Sequence, residues 1–452
     1  MGLPYITSYL LSKGFQNIFC LDAPALSLSR KDVIDFIKKH CIEVVLVSVP
    51  FTPWTDSALK MMEELKSLDL YVVVGGVMPT LMPELFTEHA NVVVVGDGEK
   101  VIHKILTNPP KNSIIHGETS NLDALPFPAW QLFPTEKYEM GFPTAEKAMP
   151  IIMLTRGCPF NCNFCANWIL SGRKVSYRKA ENVIREIKRN IKDFGISAFV
   201  VRDEVFTLNR NLVMEFCQKV VSEKLEIKWW CQTRANIVDE ELLRCMKEAG
   251  CVGVSFGVES GDAEIRRKIG KGISFQTFRE AVSIVKEQGI LCHCGFIVGH
   301  PWETIETIKT TALVADSLDP DTIGIAICTP YPKTRLRQEI REDQIVAKKW
   351  SDYVTRKVTY IPDGLVGHDL KAIRELVFLD FHSRKLKRLK TLLVFNRRYF
   401  FVYSVVLWTL FAFHRFFSGT LLSSFLLAPA KLTKKVGRFV ERSLCLARHN
   451  FS

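Results

Sequence analysis

Short apolar runs alternate with helix-length amphipathic segments along most of this 452-residue chain, and this alternation constrains the fold more than any other feature. Because parallel strands need a crossover between them, the pattern predicts parallel sheets covered by helices. The runs fall into two groups, residues 1–106 and 150–336, separated by a Pro- and Asn-rich segment at 107–149. We therefore predict two α/β domains joined by a linker, and a helical region at 337–452 without strands.

In residues 1–106 the pattern predicts a doubly wound, Rossmann-like sheet. The strands are expected at Ile18–Leu21, Val44–Val47, Tyr71–Val74 and Val92–Val95. The helices are expected at Leu3–Ser12, Lys31–Lys39, Ser57–Leu65 and Pro83–Glu88. Since the chain opens on a predicted helix, the usual first strand is expected to be missing and the domain to be truncated.

The second group predicts six strand–helix units, which fit an incomplete (β/α)6 barrel of the TIM type. In such barrels the functional side chains gather at the C-terminal ends of the strands. The strands are expected at Ile151–Thr155, Ala198–Val201, Ile227–Cys231, Gly253–Phe256, Leu291–Val298 and Thr322–Ile327, and one long helix is expected at Asp369–Lys390.

The net charge of +12 comes from the C-terminal end of the chain. Residues 383–452 contain fourteen Lys and Arg and one acid, Glu441, which leaves the remainder at −1. This distribution removes the support for a nucleic-acid partner of the two domains. Uncharged aromatic residues at Tyr399–Phe413 lie between basic clusters, so residues 391–452 are predicted to dock on an anionic membrane surface. A re-entrant hairpin and a soluble helical cap are the alternatives.

The first residues carry no basic segment, apolar core or cleavage site of an export signal. The thirteen cysteines have no regular spacing outside one cluster, which favours a reducing compartment over a disulfide framework. We therefore expect a cytoplasmic protein in an oxygen-poor setting, with its tail at the inner face of the cell membrane.

Three cysteines, Cys158, Cys162 and Cys165, follow the first predicted barrel strand within eight residues. Soft thiolates in this number suit an iron–sulfur cluster or zinc. Zinc needs a fourth ligand, and no further Cys or His lies nearby in the sequence. Three ligands without a fourth would leave one iron of a cluster open to an exogenous group.

This run resembles the signature of the radical S-adenosylmethionine (SAM) superfamily, CxxxCxxC with an aromatic residue before the last Cys, here Phe164. The resemblance continues at the later strand ends and implies a [4Fe–4S] cluster on the three cysteines. Asp203-Glu204 stands where the family contacts the methionine amino group, and Arg234 where a side chain could hold the SAM carboxylate. The implied SAM-binding residues are Phe164, Glu204, Arg234, Glu259, Ser260, Gly295 and Ile297.

The resemblance also implies a mechanism. The amino and carboxylate groups of SAM bind the open iron, and the reduced cluster cleaves SAM to methionine and a 5′-deoxyadenosyl radical. This radical abstracts a hydrogen atom from an unactivated carbon of the substrate. A one-electron donor of the flavodoxin or ferredoxin type is the implied partner, and no residue is assigned as a catalytic acid or base.

Residues 1–106 resemble the cobalamin (B12)-binding domain of one branch of the superfamily, and the chain is most similar to the anaerobic magnesium-protoporphyrin IX monomethyl ester oxidative cyclase-like group. The implied cobalamin contacts are Ser48, Gly75 and Gly76, and Gly96-Asp-Gly-Glu99 resembles a motif of the branch. The segment beginning at Asp22 lacks the His that would ligate cobalt. A domain kept only for structure is therefore the alternative.

Together these features predict an enzyme that modifies an apolar small molecule, lipid-, isoprenoid- or porphyrin-like, by methylation, cyclisation or other C–H chemistry. A methylthiotransferase acting on tRNA or protein is the first alternative. It requires three further cluster cysteines in the first domain, where only Cys20 and Cys41 are present. The second alternative is a non-enzymatic, membrane-associated iron–sulfur protein, which would have no use for the strand-end motifs.

Overall fold

The computed structural model describes residues 2–118, 121–138 and 148–384. The strands of these residues are β1 (Val44–Ser48), β2 (Tyr71–Gly75), β3 (Val92–Val95), β4 (Ser113–His116), β5 (Ala148–Ile152), β6 (Thr155–Arg156), β7 (Ser176–Tyr177), β8 (Ala198–Val201), β9 (Lys228–Thr233), β10 (Cys251–Glu259), β11 (Leu291–Val298) and β12 (Thr322–Ile327). The helices are α1 (Gly2–Ser12), α2 (Arg30–Lys39), α3 (Thr55–Lys66), α4 (Val77–Leu81), α5 (Glu99–Thr107), α6 (Asn167–Ser171), α7 (Ala180–Phe194), α8 (Arg210–Ser222), α9 (Glu240–Glu248), α10 (Ala263–Lys268), α11 (Phe275–Glu287), α12 (Ile305–Leu318), α13 (Arg335–Glu339) and α14 (Leu370–Ser383).

The N-terminal domain is a parallel sheet in the order β1-β2-β3-β4. The prediction of strands at three of the apolar runs is confirmed, but Ile18–Leu21 forms no strand. The reason is visible in Phe19, whose ring lies against α2, 5.8 Å from the ring of Phe36 and 4.7 Å from that of His40. This side chain packs on a helix, and no neighbouring strand is present to pair with its backbone.

The predicted linker begins too early, since β4 lies within it and pairs with β3. Only four residues long and with alternating exposure, β4 has no apolar run by which the sequence could mark it. The predicted helix at Pro83–Glu88 is likewise displaced: α4 precedes it, and only a single turn of 3₁₀ helix covers Pro83–Leu85.

The second domain is a six-stranded parallel sheet in the order β12-β11-β10-β9-β8-β5, which is the predicted open barrel. Its helices pack on the outer face, as α7 illustrates. Val183, Ile184 and Ile187 are buried at helical spacing in the core shared with β8. The helix ends at Gly195, whose φ of +64° lies in the left-handed region that glycine adopts without strain.

The helix α14 packs against β12 and donates a hydrogen bond from Arg374 Nε to Ile325 O at 2.7 Å. It begins after Asp369, whose carboxylate accepts from the backbone N–H groups of Lys371 and Ala372. The predicted continuation to Lys390 and the predicted membrane-docking segment 391–452 lie outside the described residues. Within the described part of the chain, no helix combines the length and apolar character needed to cross a membrane.

The two domains meet at the loop that carries the cysteine cluster. Directly after this loop, α6 packs against α4, and Ala166, Ile169 and Leu170 join the apolar core of the N-terminal domain. The loop therefore lies between the strand ends of the barrel and the N-terminal domain.

Candidate active site

The cysteine loop starts at Gly157, immediately after β6. Its φ is +105°, and a Cβ at this position would lie 2.0 Å from the carbonyl oxygen of Lys174. Only glycine therefore lets the chain turn here. The next residue is Cys158, which together with Cys165 is partly exposed, whereas Cys162 is buried, and all three are free thiols.

Residues of the barrel contact this loop through two backbone hydrogen bonds and one cation–π interaction. The backbone N–H of Asn163 donates to Ile269 O, and Asn163 O accepts from the N–H of Leu336, both at 3.0 Å. The guanidinium of Arg234 lies over the ring of Phe160 with 3.9 Å between its Cζ and the ring centroid. These contacts fix the loop on strand ends β9 to β12, where the resemblance placed it.

The donor set of the loop fits an iron–sulfur cluster. Burial raises the pKa of Cys165 to about 11, and the nearby thiols of Cys162 and Cys158 act in the same direction. Burial also raises the pKa of Cys158. A cationic cluster would offset this mutual repulsion of thiolates. Moreover, the buried side-chain amide of Asn163 has no protein partner at either Nδ2 or Oδ1, as expected beside a missing group.

No group of three or more His, Cys, Asp or Glu side chains in the described residues is arranged to hold a single metal ion. A polynuclear cluster differs from a single ion, and the residues that would hold it are the three thiols of the loop, Cys158, Cys162 and Cys165.

Two consecutive acidic residues, Asp203 and Glu204, follow β8, and their carboxylates bind different groups. Asp203 is fully buried, and it accepts hydrogen bonds from Leu154 N at 2.8 Å and from Thr155 Oγ1 at 2.7 Å. Burial raises the pKa of Asp203 to about 7. Glu204 reaches the cysteine loop, where its Oε2 accepts from Gly157 N at 3.1 Å. Glu204 thus lies beside the cluster site, in the region where the resemblance expects a contact to SAM.

Arg156 joins the cysteine loop to the N-terminal domain, a function that sequence reasoning missed. Its guanidinium lies 3.1 Å from Asp97 Oδ1 and 2.8 Å from Glu99 Oε1, and all three side chains are largely buried. The two carboxylates belong to the Gly96-Asp-Gly-Glu99 segment. The sequence indicated this motif, but its pairing with Arg156 was not predicted. Because Arg156 immediately precedes the loop, its two ion pairs fix the position of the loop relative to the N-terminal sheet.

Glu259, predicted to bind SAM, ends β10 at a β-bulge with a φ of +70°. Its carboxylate pairs with Lys271 Nζ at 2.8 Å, and both side chains are nearly buried. Lys271 O in turn accepts from Arg234 Nη2 at 2.9 Å. Arg234, expected to hold the SAM carboxylate, thus uses Nη2 for a protein contact, whereas its buried Nε has no partner among the residues that the structure describes. The neighbouring cation Lys271 was not predicted from the sequence.

The hydroxyl of Ser260, which the resemblance implies as a SAM contact, binds protein groups in this structure. The residue is fully buried, its Oγ accepts from Asp262 N at 3.1 Å, and it lies 3.5 Å from Thr311 Oγ1. The structure thus uses this hydroxyl to shape the turn before α10, and a short motif could not reveal that orientation.

The remaining predicted SAM residues line the barrel. Gly295 faces Gly257 on one side and Gly324 on the other in the strand register. Ile297 and Phe164 pack on the same small apolar cluster. Phe164 therefore connects the cysteine loop to the end of β11.

In the N-terminal domain, the three predicted cobalamin residues meet at one sheet edge. Ser48 and Gly75 are direct neighbours in the ladder at the ends of β1 and β2. Gly76 has a φ of +109° and a ψ of −166°, and a Cβ there would lie 2.8 Å from Val49 O. Glycine at position 76 therefore lets the chain pack directly on the backbone of Val49 at this edge. The carboxylate of Asp22 accepts from Tyr138 Oη at 2.9 Å, so it is tied up in protein contacts.

Comparison with known proteins agrees with this arrangement. The profile of the radical SAM superfamily matches residues 152–315, and that of the B12 binding domain matches residues 1–106. An uncharacterized methyltransferase of Pyrococcus horikoshii is 28% identical over 85% of this chain and 88% of its own length. The anaerobic magnesium-protoporphyrin IX monomethyl ester cyclase of Rubrivivax gelatinosus is 28% identical over 74% of this chain, which spans 65% of that protein.

Among solved structures, the radical SAM methyltransferase TsrM of Kitasatospora setae, with cobalamin and a [4Fe–4S] cluster bound, superposes with a TM-score of 0.68. It is 18% identical and covers 90% of this chain and 96% of its own, so it supports the fold. The predicted fold, enzyme class and cofactor set, namely cluster, SAM and cobalamin, are confirmed at the level of the two domain families. The chain therefore carries a B12-binding domain at residues 1–106 and a radical SAM domain at residues 152–315.

Proposed function

We propose that this protein uses cobalamin together with the cluster and SAM to modify an apolar small molecule by methylation, cyclisation or other C–H chemistry. The observation that supports the proposal most is the position of the cysteine loop. Arg156 binds it to Asp97 and Glu99 of the N-terminal domain, while Glu204 binds Gly157 from the barrel. Groups held by the two domains would thus meet at one place.

The protein's own residues position and shield these groups. The thiolates of Cys158, Cys162 and Cys165 would hold the cluster. When bound, the cluster supplies an electron and SAM a carbon radical precursor. Glu204 keeps the first turn of the loop in place through Gly157, and its carboxylate is close enough to Cys158 to raise the pKa of that thiol. An external one-electron donor is required to reduce the cluster.

The proposal of an apolar substrate is supported by exposed aromatic side chains next to the B12-binding edge. Phe51 and Trp54 follow β1 directly, and they are 57% and 46% exposed. Large exposed aromatic side chains beside a candidate site favour apolar ligands. The cyclase relative, by its name, acts on a porphyrin ester, which is consistent with this class.

The proposal is tested with the full chain, which is reconstituted anaerobically with iron and sulfide, titrated with hydroxocobalamin, and then supplied with SAM and a one-electron reductant such as dithionite. We expect a spectral change on adding hydroxocobalamin, and formation of 5′-deoxyadenosine from SAM that increases when organic-soluble cell extract is added. If only the aqueous extract increases the rate, the apolar class is wrong. If no corrinoid binds and no 5′-deoxyadenosine forms, the enzymatic proposal fails.

A further inference from the structure

The inner face of the barrel carries a layer of polar side chains on five of its six strands. The strand register places Gln232 opposite Ser255, Ser255 opposite His293, and His293 opposite Thr322. On β8, Val200 pairs with Trp230, so Arg202 two residues later lies at the level of Gln232. Five consecutive strands thus contribute Arg202, Gln232, Ser255, His293 and Thr322 to a single level, here called the polar layer.

The polar layer faces the interior of the barrel because of strand alternation. On β8, Phe199 and Val201 lie in the core beneath the helices, whereas Val200 packs with Trp230 and Val252. This second, small apolar cluster closes the lower end of the barrel. Since alternate residues share a face, Arg202 lies above this floor on the inner side.

Ser255 and His293 of the polar layer each contact one protein group and keep one further polar group without a partner in the described part of the chain. Trp230 Nε1 donates to Ser255 Oγ at 2.8 Å, which leaves the hydroxyl proton of Ser255 for another acceptor. His293 Nδ1 lies 2.8 Å from Thr322 Oγ1, and its Nε2 has no hydrogen-bond partner among the described residues. Burial lowers the pKa of His293 to about 4, so the ring is neutral at pH 7.

Arg202 brings an uncompensated positive charge to this layer. Its side chain is exposed, and no described carboxylate lies within ion-pair distance of its guanidinium. The two nearest acids along the strand are committed elsewhere: Asp203 binds Leu154 N and Thr155, and Glu204 binds the N–H of Gly157. The layer therefore presents a cation and hydrogen-bond donors without a counter-charge.

Space for a ligand group lies directly above the layer. The next inward positions on β10, β11 and β12 are glycines in register, Gly257, Gly295 and Gly324. A Cβ built on Gly295 would meet nothing closer than Phe256 O at 3.8 Å. At the flanking positions, the Glu259 and Lys271 side chains lie over Gly257 and the His293 ring lies over Gly324, so the open space is confined to the region above Gly295. This gap connects the cofactor level with the polar layer over about 7 Å of strand.

We propose that the polar layer binds an oxyanion of the substrate, a carboxylate or a phosphoryl group, with Arg202 as its charged partner and Ser255 and His293 as further hydrogen-bonding groups. This inference rests on the proposed function and narrows it. The substrate is then an amphiphile whose anionic end lies deep in the barrel while its apolar body extends toward the cysteine loop.

The test measures binding of three small probes, octanoate, octyl phosphate and octanol, to the reconstituted full chain by equilibrium dialysis. The variants are Arg202→Gln, Arg202→Lys and, as matched control, Arg210→Gln, whose side chain pairs with Asp239 on the outer surface. We expect the wild type to bind at least one anionic probe about tenfold or more tightly than octanol. That preference should be lost in Arg202→Gln, partly kept in Arg202→Lys and unchanged in Arg210→Gln.

The outcome also separates carboxylate from phosphoryl, according to which anionic probe binds. Equal binding of octanol and both anions by the wild type overturns the proposal, as does an equal loss in Arg202→Gln and Arg210→Gln. If Arg202→Gln fails to fold by circular dichroism, the wild-type probe comparison and Arg202→Lys decide. The proposed function is judged separately, by 5′-deoxyadenosine formation in the wild type without any probe.

Discussion

The two sheet ends that meet at the cysteine loop are built in opposite ways. The barrel end carries charged side chains that are paired and buried, such as Glu259 with Lys271. The N-terminal sheet ends on Ser48, Gly75 and Gly76, where the backbone itself forms the surface. The difference shows that the barrel end is held by directed ion pairs and hydrogen bonds, and the N-terminal end by close backbone packing that only glycine permits at Gly76.

The largest effect is expected at the loop shared by both ends. Cys162→Ala removes one cluster ligand. Since even outer partners of a metal site are worth about 10–100-fold, its loss should lower the rate of SAM cleavage by about 100-fold or more. Iron content and 5′-deoxyadenosine formation are the measurements. Cys41→Ala, at an exposed thiol of the N-terminal domain, is the control and should match the wild type. Equal rates for both variants would contradict the cluster assignment.

The link between the two ends is tested by Arg156→Gln. The substitution leaves Asp97 and Glu99 buried without their cation, and breaking such a pair costs about 3–5 kcal/mol in the free energy of unfolding. Urea denaturation measures this loss. Arg210→Gln breaks pairs that are exposed to solvent and should therefore cost much less. Similar losses in both variants would mean that Arg156 does not join the domains.

The backbone surface of the N-terminal end is tested by Gly76→Ala. With a φ of +109° and a ψ of −166°, Gly76 occupies a region that is nearly exclusive to glycine, and the new Cβ would press on Val49 O. We expect a loss of about 3 kcal/mol in unfolding free energy. Gly75→Ala is the matched control, because its Cβ would make only an ordinary contact at 3.6 Å from Val94 Cβ. A loss as large in Gly75→Ala would show that the edge is uniformly crowded.

The smallest expected effect is a change in how the unfolding free energy depends on pH, and it arises from Glu303 at the barrel end. Burial raises the pKa of Glu303 to about 8, although its carboxylate accepts from the N–H groups of Gly299 and His300. The folded protein thus keeps a proton that the unfolded chain releases near pH 4.5, so stability falls as pH rises to 8. Between pH 6.5 and 8, above the range where the buried histidines titrate, Glu303→Gln should reduce this slope by at most about 1.4 kcal/mol per pH unit.

Urea denaturation at several pH values measures the slope. Glu306→Gln, at an exposed position on α12, is the control and should leave it unchanged. The slope that remains in Glu303→Gln comes from the other carboxyls whose pKa is raised by burial, among them Asp203 with a pKa of about 7. An unchanged slope in Glu303→Gln would show that this carboxyl is ionised in the folded state.

How far the sequence predicts the structure depends on the range of the interactions. The bounds of β11 and β12 are predicted to the residue, because each is an apolar run that ends at local turn signals. Ile18–Leu21 was a wrong strand prediction, since a strand also needs a neighbour. Arg156 and Lys271 escaped notice because their importance comes from partners distant in sequence. The three cysteines were predicted as cluster ligands because their spacing in the sequence is enough to identify the motif.

The central claim is that these cysteines hold a cluster with one iron open to SAM, between the two sheet ends. Electron paramagnetic resonance of the reduced, reconstituted protein, recorded with and without SAM, tests it most directly. The account predicts a [4Fe–4S] signal that shifts when SAM is added. A protein that binds zinc in place of iron, or a cluster signal that is unchanged by SAM, would contradict it.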